Sequence, residues 1–87
     1  MNKTILKFPL EFTEEQTILV PKDATFLSVQ MQKDKLCLWA ECVVNSDLEK
    51  RTVEILGTSH IFEFAARKYI STVQDGIFVW HIYELIT

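Results

Sequence analysis

The sequence predicts an all-β domain, a small antiparallel sandwich or partly closed barrel of about seven strands. Three observations carry that expectation. Residues 26–32, Phe-Leu-Ser-Val-Gln-Met-Gln, alternate, with Leu27, Val29 and Met31 on one side and Ser28, Gln30 and Gln32 on the other. The charged break Lys33-Asp34-Lys35 then leads into a second apolar run, Leu36 to Val44, as a hairpin turn does. Turn residues recur roughly every 8–12 positions along the chain, the rhythm of short antiparallel strands. At 87 residues there is room for one core only, so residues 1–87 are read as a single domain.

The strands follow in order. Residues 3–8 form the first, ended by Pro9, whose nitrogen cannot donate to a ladder. Residues 16–20 form the second, closed by Pro21-Lys22-Asp23, and residues 25–32 and 35–44 make the hairpin. A polar loop, Asn45 to Lys50, precedes a fifth strand at 51–57, where Val53 and Ile55 oppose Thr52, Glu54 and Leu56. Residues 58–68 are irregular and too short for a stable isolated helix. Residues 69–74 form the sixth strand, and Asp75-Gly76 turns into the seventh at 77–86, because Asp-Gly accepts positive φ.

The last strand is apolar on both faces. Ile77, Val79 and Leu85 supply a core on one face. Phe78, Trp80 and Ile82 on the other are therefore assigned to an interface, covered by a second layer, by the 58–68 segment or by a second copy of the chain. A homo-oligomer is expected. Trp39 is read as a core or interface anchor.

A net charge of −3, spread along the chain, lacks the basic footprint of duplex nucleic-acid binding. The longest apolar runs fall well short of the ~20 residues of a membrane span, so no membrane association is expected. Cys37 and Cys42 are five apart on one strand and leave on opposite faces, which separates them. They are expected as free thiols in a reducing cytosol. Two cysteines and two histidines make no metal set by spacing, and neither a cofactor nor an enzymatic activity is expected.

Gly57-Thr58-Ser59-His60 is the candidate ligand-binding motif. A glycine at a strand end, two hydroxyls and an imidazole can offer backbone N–H groups and side-chain donors to an anion, with Arg67 and Lys68 completing the polar end of a pocket at a subunit interface. The alternative is an irregular strand exit in which the hydroxyls bond their own backbone. His60 and His81 are a second candidate pair, with Glu63 or Glu84 as a third group.

Phe8-Pro9-Leu10, Glu15-Gln16-Thr17, Val20-Pro21, Leu27-Ser28-Val29-Gln30, Cys37-Leu38-Trp39-Ala40, Gly57-Thr58-Ser59-His60 and Tyr69-Ile70-Ser71-Thr72 occur in this order. With them the chain resembles a family of small, functionally uncharacterised phage and prophage proteins. Ser59 stands where that pattern has Gly. The resemblance implies a phage-related origin and action in the host cytoplasm, and it carries over no activity or site residue. The expected function is binding, as a modulator of a host protein such as an anti-defence inhibitor. The alternatives are an oligomeric binder of a nucleotide-like ligand and a minor virion or assembly component.

Overall fold

The alternating runs do become strands, and every paired neighbour is antiparallel. The computed structural model describes residues 1–86 and contains β1 (Lys3–Leu10), β2 (Glu15–Pro21), β3 (Thr25–Gln32), β4 (Lys35–Val43), β5 (Leu48–Gly57), β6 (Arg67–Asp75) and β7 (Phe78–Leu85). They form a three-stranded sheet, β1-β4-β3, and a four-stranded sheet, β2-β5-β7-β6. The sheets make a sandwich and do not close into a barrel, so β1 and β3 edge one sheet and β2 and β6 the other. Between them Leu36, Leu38, Ala40 and Cys42 of β4 share a buried core with Val20, Val29, Val53, Ile55, Val73 and Ile82.

The sheets meet along β3 and β6. Each of these strands carries a register shift there, between Phe26 and Ser28 and between Tyr69 and Ser71. A bulge bends its strand and leaves one residue unpaired. Ser71 fills the gap, since its hydroxyl accepts from the Val29 backbone N–H at 2.8 Å in a buried position. The β3 shift also overturns one expectation. Leu27 does not join Val29 and Met31 in the core but is exposed, because the extra residue breaks the alternation and turns Phe26 inward instead.

Of the covers expected for the Phe78–Trp80–Ile82 face of β7, the one present is a second layer, the β1-β4-β3 sheet, which makes Ile82 a core residue and not an interface one. Ile82 is fully buried in the inter-sheet core, Trp80 packs against it, and Ile77 lies outside the strand, 92% exposed. Gly76 takes positive φ (61°) and Ile77 completes a two-residue turn in which Asp75 pairs with Phe78. The strand therefore starts one residue later than the sequence suggests. The β1-β4-β3 sheet covers the aromatic face at Ile82 and partly at Trp80, while Phe78 stays half-exposed. The opposite face, with His81 and Tyr83, lies towards the 58–66 segment. β5 and β6 flank β7 and run parallel to each other, so the chain between them must cross β7.

Trp39 is also displaced from its expected place. Leu36, Leu38, Ala40 and Cys42 occupy the inner positions of β4, which leaves Trp39 half-buried on the outer face between Cys37 and Glu41. Pro9 does not end β1; it pairs opposite Cys37 on an edge strand, where a missing donor is tolerated.

Cys37 and Cys42 are both free and buried, on opposite faces of β4. Burial pushes the Cys42 thiol up from its ordinary 9.0, with the Arg51 charge opposing the shift. Both thiols should resist alkylation in the folded protein and react fully on unfolding. The folded Cys42 value lies above the unfolded one. Its contribution to stability is therefore complete below the ordinary thiol value and declines as pH rises through the folded one. Chemical unfolding of wild type and Cys42→Ala across alkaline pH checks this, since only wild type should show the added decline.

Candidate functional site

β5 ends at Gly57, and the chain turns at once. The His60 N–H donates to the Gly57 carbonyl at 3.1 Å, and Ser59 adopts φ +70°, the left-handed region that glycine enters without strain. This chain holds a serine in that backbone conformation.

The turn sends its side chains in different directions. Thr58 reaches the outer face of β7, where its hydroxyl lies 2.8 Å from His81 Nε2. The other ring nitrogen of His81 lies 3.2 Å from the Thr72 hydroxyl, which is 2.7 Å from the Tyr69 hydroxyl. His60 instead approaches Glu14, Nε2 to Oε1 at 3.3 Å. The two histidines thus hold separate partners, and Glu84 is held on the inner face by Arg51. Among the described residues no group of three His, Cys, Asp or Glu side chains is placed to hold a metal ion.

Gly57 and His60 line a hollow of about 190 Å³ together with Phe12, Thr13, Glu14, Ile55 and Trp80. Phe12 and Trp80 form two of its walls, ring centroids 6.0 Å apart and planes at 53°. The 11–14 loop that carries Phe12 and Glu14 is clasped by Gln16. Its side chain donates to the Glu11 carbonyl at 2.7 Å and accepts from the Glu11 N–H at 3.0 Å. The Glu14 carbonyl accepts from Ile55 N–H at 3.0 Å, which ties the loop to β5. Trp80 Nε1 is buried without an acceptor.

Arg67 and Lys68 do not complete this hollow. Gly57 pairs with Trp80, whereas Arg67 pairs with Leu85, five residues further along β7 or about 16 Å at strand spacing. The Arg67 guanidinium is also engaged. It binds both carboxylate oxygens of buried Glu54, is pushed up from its ordinary value chiefly by that hydrogen bonding, and lies 4.8 Å from the Phe62 ring centroid. Of the expected interface residues, Ile82 is core and Trp80 is partly buried. Phe78 alone is open, stacked on Trp80 at 5.6 Å and 18°. Phe12 and Glu14 were not singled out by the sequence. The one signal that could have found them is Gln16, whose side-chain amide is able to bond the backbone of a loop five residues back.

The chain belongs to the DUF7352 family. The family model, described as a domain of unknown function, matches residues 1–87. No curated protein and no solved structure matches it. In DUF7352 terms the site is therefore defined by the geometry of this chain alone.

Ser59→Gly should stabilise the protein by up to about 1 kcal/mol, because it relieves a left-handed conformation. Thermal unfolding of the variant checks this. A lowered melting temperature would show that the serine hydroxyl matters more than the backbone.

Proposed function

We propose that this DUF7352 protein works by binding another protein, through the segment that crosses β7. The observation that supports the reading is the exposure of that segment. Ile61 is 93% exposed, Phe64 is fully exposed, and Phe62 is half-exposed although Arg67 lies against its ring. Burying side chains of this kind yields roughly 1.5–3 kcal/mol each, a gain that the isolated chain does not realise. The segment is anchored while its outward side chains stay free: the Ala66 carbonyl accepts from Ile86 N–H at 2.9 Å, and Phe62 rests on Arg67. An anchored apolar surface loses less entropy on binding than a mobile one.

The resemblance to phage and prophage proteins supports the finer reading, a modulator of a host protein acting in the host cytoplasm. A second copy of the chain would cover the same surface in a homo-oligomer. The nucleotide-binding alternative has less support, because no Lys or Arg lines the hollow at Gly57–His60.

Ile61→Asp combined with Phe64→Asp tests the proposal. Neither side chain is packed, so the melting temperature should stay close to that of wild type. Wild type should capture a stoichiometric partner from its native cell, or self-associate by light scattering, and the double variant should do neither. Equal binding by the two proteins, or a wild type that is monomeric and captures nothing, would contradict the proposal.

A further inference from the structure

We infer that the hollow beside Trp80 is a binding site for an alkylammonium cation. The inference does not use the exposed Ile61, Phe62 and Phe64 side chains and rests on four features of the hollow itself. The first is its walls. Phe12 and Trp80 meet at 53° with centroids 6.0 Å apart, the spacing of a packed aromatic pair, and this tilted wedge of two rings lines the hollow. A cation within about 6 Å of such ring centroids is attracted to their negative faces. Phe78 stacks on Trp80 and holds its plane.

The second feature is charge. The formally ionised group at the rim is the Glu14 carboxylate, with His60 as its neighbour at 3.3 Å, and neither Lys nor Arg lines the cleft. A negative rim over an apolar, aromatic interior suits an organic cation and repels phosphate or carboxylate. A cation entering the wedge would share Glu14 with His60.

The third feature is size. At about 190 Å³ the hollow is smaller than the ~300–1,000 Å³ of sites for drug-sized ligands. It suits a head group of a few heavy atoms, not a nucleotide. Gly57 helps to keep it open. A Cβ built there would lie 3.5 Å from Trp80 Cζ3, ordinary contact distance, so the missing side chain leaves space and relieves no clash.

The fourth feature is preorganisation. The Gln16 clasp and the Ile55-to-Glu14 hydrogen bond fix the loop that carries Phe12 and Glu14 without any ligand. The ordering cost of binding is therefore already met by the fold. The same chemistry can come from a free amine such as choline or from a trimethylated lysine side chain of a protein.

The test follows NMR shifts of the Trp80 ring during titration of the full chain. The probes are tetramethylammonium, choline, a trimethyl-lysine tripeptide, the neutral tert-butyl isostere of choline, and inorganic phosphate. Cations should produce saturable shifts in the millimolar range, and the neutral isostere should bind about tenfold more weakly. Glu14→Gln and Phe12→Leu should each weaken the cation several-fold. Both residues lie on an exposed loop, so the melting temperature should hold. Tighter binding of the tripeptide than of choline would assign the site to a protein-borne cation, and the reverse order to a free amine. Equal binding of the neutral isostere, a preference for phosphate, no saturable shift with any cation, or unchanged binding by both variants would overturn the inference.

Discussion

Arg51 joins the two sheets at one end of the sandwich, and the arrangement of the other parts depends on that junction. It points inward from β5 and binds both carboxylate oxygens of Glu84 on β7, with Nη2 to Oε1 at 2.8 Å. Its Nη1 donates to the Ala24 carbonyl at 2.8 Å, and its guanidinium carbon lies 4.1 Å from the Phe26 ring centroid. Ala24 and Phe26 belong to the β2–β3 turn and to β3, so one side chain links the four-stranded sheet to the three-stranded one. Glu49 stands 3.6 Å away and also accepts from Asp23 N–H at 2.9 Å, which secures the same turn. Hydrogen bonding to Glu84 raises the Arg51 guanidinium above its ordinary value, so its charge is permanent. A buried pair of this kind is weak as a source of net stability but strong as a constraint, because either partner alone is a buried charge without compensation.

The clamp also explains where the candidate site lies. At the Arg51–Glu84 end the sandwich is closed by charge, a turn and a loop, with Lys22 N–H donating to the Asp47 carbonyl at 2.7 Å. At the Gly57–Trp80 end two aromatic rings, the Glu14–His60 pair and a clasped loop surround a hollow. A second arginine pair, Arg67 with Glu54, acts on the outside of the same sheet. It holds Phe62 and so the start of the crossing segment, while Ile61 and Phe64 stay free. Two bidentate pairs on opposite faces of one sheet thus position the interior and the outer surface separately.

The sequence carried much of the fold and little of the site. Alternation in β3 and β5, with proline and turn residues between the other runs, identified all seven strands, because strand faces and turns are local properties. It failed where pairing is not local. The β3 bulge that exposes Leu27 exists because β3 must bend towards β6, a partner more than forty residues away. What covers the Phe78–Ile82 face of β7 stayed open because both faces are apolar, and periodicity cannot say which one the other sheet covers. The Gly57–His60 turn was legible as a feature, down to the glycine-like backbone at Ser59. Its partners were not, since Phe12 and Glu14 arrive from a loop more than forty residues earlier. Both arginine pairs were hidden for the same reason, since charged residues in strands read as solvated until a cross-strand partner is known.

The most direct test of the central role of Arg51 is a double-mutant cycle in equilibrium unfolding with Arg51→Met, Glu84→Leu and the pair. Each single change should cost about 3–5 kcal/mol by stranding a buried charge, and the pair should cost far less than the sum. The β2–β3 turn should also lose hydrogen-exchange protection in Arg51→Met. Small, additive effects with an unchanged turn would contradict the account and leave apolar packing alone to hold the sheets together.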